Sequence, residues 1–255
     1  MQYSILTFNF GNYDLIREPF SISDNVEFVM VTDCVNLPSN SKWKFKRIPS
    51  EYINASGFTK SFYVRYHPFE FVNNDICLVI DGSVQILKSP DPLIDDFMAS
   101  GSDICLSVNR LCNPFNDEYD WFVNKRHYDR EQCAKNMAMT MALGYSKSYK
   151  GYFEAGVKIV MNSMKTSKLH TCVWNILNYI SPSKMNIDRL DQTILSGVVN
   201  FKLPDLTIFP ISRQVIKSDY LMWMNHGKNT IADKDFQFRQ KMWVRNKLNN
   251  IYYLQ

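Results

Sequence analysis

The run Ile76-Cys77-Leu78-Val79-Ile80 ends directly on Asp81-Gly82-Ser83. Five consecutive apolar residues without alternation suit a strand covered on both faces, the setting of a parallel sheet with helices on each side. A carboxylate directly after such a strand has lost much of its water and needs a counter-charge or hydrogen-bond donors. Two readings follow. In one, Asp81 binds a divalent cation directly and Ser83 binds it directly or through water, with diphosphate oxygens completing the shell of a hard cation. In the other, the tripeptide is a plain turn in which Asp81 accepts from nearby backbone N–H groups.

The rest of the chain alternates in kind. Tyr3–Phe8, Glu27–Thr32, Lys44–Ile48, Asp103–Val108, Val157–Met161 and Leu206–Phe209 read as strands. Thr59–Val72 reads as a helix loosened near Pro68, and Asp91-Pro92 as a helix start with Asp91 as N-cap and Pro92 in the first turn. Glu118–Leu143, Lys165–Tyr179, Arg189–Val199 and Lys234–Asn250 read as further helices. This alternation predicts an α/β fold with a mostly parallel central sheet flanked by helices. No internal repeat and no Pro-, Gly- or Ser-rich linker divides the chain. The weakest joint falls at about residues 211–232, where a basic stretch begins.

Charge narrows the class. The net charge is +4, and residues 211–255 carry eight Lys/Arg against three Asp/Glu, which leaves the body near neutral. A nucleic-acid binder would carry more positive charge on its body, so no nucleic-acid partner is expected. No apolar run reaches the length of a membrane span, and the N-terminus lacks the pattern of a signal peptide. The six cysteines include no C-x-x-C pair and several lie in apolar runs. They suit reduced thiols and a cytoplasmic location. Neither G-x-G-x-x-G nor G-x-x-x-x-G-K-[ST] occurs, which counts against a classical dinucleotide dehydrogenase and a P-loop NTPase.

In open α/β sheets, ligands bind beyond the carboxyl ends of the strands. The polar groups there are Thr7 to Tyr13, Thr32-Asp33, Asp81 to Ser83 and Asn109-Arg110.

Lys60–Ile86 (KSFYVRYHPFEFVNNDICLVIDGSVQI) resembles the segment leading into the metal-binding turn of GT-A glycosyltransferases. The nearest group has a strand reading roughly W-I-D-G-[NS]-[IV]-x-I and includes plant cell-wall and bacterial or viral surface-polysaccharide transferases. Phe8 to Asp14 looks like that group's G-x-Y-D loop, and Phe28 to Asp33 like its Y-x-C-F-T-D strand. His67 falls at its histidine. Tyr152 to Val157 looks like its L-x-E-x-G-[IV] strand, and Leu190-Asp191-Gln192 like its R-D-Q helix start. The resemblance spans about residues 3–200. It departs where the usual D-x-D is D-x-S, where the arginine before Asp191 stands at Arg189, and where the group's H-P has no clear match.

The resemblance implies a GT-A-like nucleotide-sugar transferase domain over residues 1–210, with residues 211–255 as a basic C-terminal extension packed on it. The activity implied is transfer of a sugar from a nucleotide sugar, UDP-linked by expectation, to a glycan or lipid-linked acceptor in surface-polysaccharide synthesis. Mn²⁺ or Mg²⁺ would be held by Asp81, Ser83 and His226, the last in Asn225-His226-Gly227-Lys228, which resembles an H-x-x-G-x-x-K element; a solvated loop histidine is the alternative. Lys228 would touch a phosphate.

The nucleotide site would comprise Thr7, Phe8, Asn9, Tyr13, Asp33, Lys60, Asp81, Gly82, Ser83 and Lys228. Phe8, Phe10 and Tyr13 offer rings for base stacking, with at least one expected in the core. Asp33 would accept a ribose hydroxyl or uracil N–H, or cap a turn. Asp191 and Glu154 are the catalytic candidates. If the reaction inverts the anomeric centre, one of them is general base toward the acceptor hydroxyl, with Asp191 preferred; if it retains, both only position substrates. The alternative from another class is a catalytically inactive GT-A-like protein that binds a sugar nucleotide or a partner. The aromatic and basic residues of Lys234–Leu254 suit either a docking helix or peripheral contact with the inner face of a membrane.

Overall fold

The unbroken apolar run forms strand β4 (Ile76–Ile80) near the middle of a seven-stranded sheet, and all five of its residues are buried. The computed structural model describes residues 1–20, 23–108, 138, 142, 153–181, 183–185, 190–212 and 221–223. The other strands of this sheet are β1 (Tyr3–Asn9), β2 (Val26–Thr32), β3 (Lys44–Lys46), β6 (Ile104–Val108), β7 (Phe153–Met161) and β8 (Ile208–Ser212). Their order is β3-β2-β1-β4-β7-β6-β8. β7 runs antiparallel to both of its neighbours, while the other pairs are parallel. The chain is therefore α/β with a mostly parallel mixed sheet, as the alternation of elements predicted.

Each face of β4 meets its own core. Ile76, Leu78 and Ile80 pack with Tyr3 and Ile5 of β1 and with Leu93, Ile94 and Phe97 of helix α2 (Asp91–Ala99). Cys77 and Val79 pack on the other side with helices α1 (Gly57–Tyr66), α3 (Met164–Ile180) and α4 (Asp191–Gly197). Each aliphatic side chain so enclosed contributes about 1.5–3 kcal/mol relative to leaving it in water.

Several boundaries differ from expectation. α1 stops at Tyr66 because His67 precedes Pro68 and is pushed out of the helical region, at φ −129°; the chain then makes a short 3₁₀ turn over Pro68–Glu70. Asp91 is not the N-cap of α2. Pro90 holds that position, and Asp91 Oδ1 accepts from the Tyr3 hydroxyl at 2.8 Å. β7 begins at Phe153, so Glu154 lies within a strand. α4 begins at Asp191 and widens into a π turn over Val198–Lys202.

The expectation missed strand β5 (Val84–Ile86), which pairs antiparallel with β9 (Leu221–Trp223) in a second small sheet. β8 crosses residue 210, and β9 lies beyond it, so the first part of 211–255 contributes to both sheets. Of Glu118–Leu143, only Ala138 and Ala142 are described, and Lys234–Asn250 lies outside the described residues.

The sheet order reverses direction between β1 and β4. From β1 the chain steps outward to β2 and β3, then returns through α1 to β4 on the other side of β1. Such a switch point leaves a crevice beyond the carboxyl ends of the two strands.

Under the sheet, Lys158 of β7 is completely buried, with its Nζ 3.0 Å from His170 Nε2 of α3 and 4.5 Å from the centre of the Tyr66 ring. Burial, and then the positive charge of Arg65, hold Lys158 well below its ordinary value; burial, and then Lys158, do the same to His170. A histidine kept neutral in the native state takes up a proton only on unfolding, so the unfolded chain binds more protons. Stability then falls as pH falls through the unfolded histidine value of about 6.5, by about 1.4 kcal/mol per pH unit below it. Melting curves between about pH 7.5 and pH 5.5 should show a falling midpoint. His170→Gln should flatten part of that slope, the half-buried His67 retaining a share. An equal slope in the variant would show that His170 protonates without cost.

Candidate functional site

α1 is capped by Ser56, whose Oγ accepts from Thr59 N at 3.2 Å. From this helix two cations reach the strand ends. Lys60 Nζ lies 2.8 Å from Asp33 Oδ2, just past β2, and 5.7 Å from the centre of the Phe10 ring. Arg65 Nη2 lies 2.5 Å from Asp81 Oδ1, just past β4, and Arg65 Nη1 donates to Asp191 Oδ2 in the first turn of α4. The Arg65 guanidinium also lies 5.4 Å from the ring centres of both Phe8 and Phe62. Burial would lower the Arg65 value, but the two carboxylates outweigh it and hold the group above its ordinary range. Burial raises the Asp191 carboxyl; Arg65 opposes that rise and Asp81 adds to it.

The loop after β1 is tied down by its own polar groups. Asn9 Nδ2 donates to Asp14 O at 2.6 Å, and Asp14 N donates to Asn9 Oδ1 at 3.1 Å. Gly11 and Asn12 both take positive φ, 62° and 56°, which closes a tight turn between Phe10 O and Tyr13 N. Gly11 N donates to Asp33 Oδ1 at 2.7 Å, so Asp33 joins this loop to Lys60.

Residues expected at the nucleotide site thus divide. Phe8 and Phe10 stack on one another and both belong to the core, whereas Tyr13 is 59% exposed. Thr7 and Ser83 are buried, and neither hydroxyl finds a hydrogen-bond partner. Gly82 packs on the Phe8 carbonyl, and its own carbonyl accepts from Arg17 Nη1 at 3.2 Å. Glu154 is buried on β7, with Ser107 Oγ donating to it at 3.4 Å. His67 stacks on Tyr63 at 4.3 Å within an aromatic cluster. Arg189, His226 and Lys228 lie outside the described residues.

Asp81 and Asp191 are brought together, and the group that joins them is the one the sequence reading missed. A signal existed: Phe62-Tyr63-Val64-Arg65-Tyr66 places a lone charge in an aromatic and apolar helical stretch. Charges so placed are rarely buried unless paired. Gly156, the glycine of the L-x-E-x-G-[IV] match, has a role the sequence reading did not assign. Its carbonyl accepts from Asp81 N at 2.9 Å, and the pairing of β6 with β7 shifts register beside it, between Leu106 and Ser107. Bulged strands near strand ends commonly re-aim side chains.

The family resemblance implies a divalent metal at Asp81 and Ser83. Among the described residues no group of three or more His, Cys, Asp and Glu could hold an ion. Asp81 Oδ1 is engaged by Arg65, Asp81 Oδ2 faces Gly156, and Ser83 is enclosed. Among the described residues these donors do not fit a divalent cation; His226, the third expected ligand, lies outside them.

A Cβ on Gly156 would lie 2.6 Å from Asp81 Oδ2, closer than atoms can pack. Gly156→Ala should therefore displace either the carboxylate or the strand, costing about 1–3 kcal/mol in denaturant unfolding. An unchanged midpoint would show that Asp81 has room to move.

No protein-family model matches this chain, and no curated relative matches it. Among solved structures, it is similar to the galactosyltransferase LgtC in complex with donor and acceptor sugar analogs. Identity there is 14%, over 81% of this chain and 72% of that one, with a TM-score of 0.47. It is similar to an active-site mutant of LgtC, with 14% identity, the same coverage and a TM-score of 0.49. It is also similar to apo mouse xyloside xylosyltransferase 1, with 13% identity over 83% of this chain and 85% of that one, and a TM-score of 0.45.

Proposed function

We propose that this protein is a GT-A-type glycosyltransferase that takes its sugar from a nucleotide donor, UDP-linked by preference, and passes it to a glycan or lipid-linked acceptor. The observation that carries the reading is the alternating row Asp81, Arg65, Asp191 at the crevice beside β1 and β4. Arg65 is engaged by both carboxylates, which leaves the part-exposed Asp81 and Asp191 oxygens as acceptors for sugar hydroxyls. The order of the motifs along the sequence supports the same reading.

In this reading the exposed Tyr13 ring stacks on the base, and the Asp33–Lys60 pair holds the loop that carries it. Asp191 is the preferred base for an inverting reaction by its place in the first turn of α4 beside Asp81; burial raises its carboxyl against the pull of Arg65. Glu154 is the second candidate. No step is routed through a metal.

The test begins with calorimetric titration of UDP, GDP and CDP, followed by hydrolysis and transfer assays with their sugars. UDP binding with turnover is the expected result. Asp191→Asn should keep its fold and UDP affinity while transfer falls about a hundredfold or more, and Glu154→Gln should fall less. No binding of any of the three diphosphates would overturn the reading. Binding without turnover of any donor sugar would favour the catalytically inactive alternative, which the D-x-S turn motivates.

The basic, aromatic-rich sequence Lys234–Leu254 supports a lipid-linked acceptor. The native protein should then co-sediment with phosphatidylglycerol vesicles and release as salt rises past about 0.1 M. Retention in the supernatant at low salt would remove that part of the proposal.

A further inference from the structure

A strand-end carboxylate implies a counter-charge, and the structure contains one. Arg65 is buried and reaches Asp81 from α1, sixteen residues earlier in the chain. Its planar fork divides between two partners, Nη2 on Asp81 Oδ1 at 2.5 Å and Nη1 on Asp191 Oδ2. The face of the guanidinium is covered by the Phe8 and Phe62 rings. A guanidinium suits this place better than an ammonium. It remains charged when enclosed, and its N–H groups point at two separate acceptors in one plane.

We propose that Arg65 is the resident cation of the Asp81 turn: it supplies the counter-charge between Asp81 and Asp191 from within the fold, and the turn works without a divalent metal at Asp81. The inference rests on the nucleotide-sugar reading only for what the turn serves. The charge relation rests on the geometry alone. A divalent ion approaching Asp81 would meet the guanidinium on the same carboxylate, positive charge against positive charge in a poorly solvated place. The other oxygen lies against Gly156, where even a Cβ would come within 2.6 Å, so that side of it has no room for an ion. Ser83, the second ligand such a turn would offer, is 1% exposed.

The same geometry says what removing Arg65 should do. Asp81 and Asp191 would be left facing a common space with no cation between them. An arginine too large to share its place with a metal would be replaced by a site that invites one.

The experiment follows the free Mn²⁺ signal by electron paramagnetic resonance. Below about 1 mM Mn²⁺, the native protein should remove no ion that Asp81→Asn fails to remove. Arg65→Met should gain one Mn²⁺ site per chain, lost again when Asp81→Asn is added. One Mn²⁺ bound by the native protein and lost in Asp81→Asn would overturn the proposal, and this arm decides the matter even where Arg65→Met fails to fold.

A parallel titration of UDP in EDTA and in Mn²⁺ should give affinities within about twofold of each other. An increase of about tenfold or more with Mn²⁺, absent in Asp81→Asn, would overturn it as well. UDP failing to bind under either condition would sink the nucleotide reading. The Mn²⁺ result would then still decide the role of Arg65.

Discussion

The contact between Arg65 and its two carboxylates organises the strand ends of this protein. Asp81 terminates β4 and Asp191 opens α4, so one guanidinium joins the central strand, helix α1 and helix α4. Such an arrangement is a demanding one. Taking charges out of water costs several kcal/mol per ion, and the attraction offsets this only when every partner is in place. Removing Arg65 would leave two carboxylates without their counter-charge, a loss of about 3–5 kcal/mol in comparable cases. The cluster thus constrains shape more than it adds stability, since the strand end and the two helices must keep their positions together.

Lys60 repeats the device five residues earlier in α1. It pairs with Asp33 at the end of β2, and Asp33 in turn receives Gly11 N from the loop after β1. Phe8 and Phe10 lie between these two cationic pairs with their rings stacked 6.4 Å apart, Phe8 against Arg65 and Phe10 against Lys60. The first strand therefore ends in a packed apolar wedge held by charges on either side. This explains why two of the three rings suited to base stacking are structural and only Tyr13 faces solvent.

The antiparallel β7 sets the opposite wall. The Gly156 carbonyl accepts from Asp81 N in continuation of the β4–β7 pairing, the register with β6 slips beside it, and the missing Cβ leaves space for the Asp81 carboxylate. The next strand residues return to regular pairing, and Lys158 points into the core, onto Tyr66 and His170. Tyr66 then donates to the Asp191 carbonyl at 3.4 Å. The buried Lys158–His170 contact thus adjoins Tyr66, which ties it to the helix that carries Arg65.

Much of this was legible in the residues themselves. The run Ile76–Ile80 determined a strand covered on both faces, because no alternation leaves no face for water. Strand and helix periodicities along the described chain determined the α/β class, and Asp81 was marked as needing a partner by its place alone. The identity of that partner was not legible. Arg65 and Asp191 are 126 residues apart, and nothing local in either segment records that they meet. The reversed direction of β7, the slip at Gly156 and the pairing of β5 with β9 likewise follow from long-range hydrogen bonding. Local sequence sets which backbone conformation is cheap and which face is apolar. Which charges share a crevice is decided only when the strands take their order, because desolvation acts on the assembled neighbourhood and not on the segment.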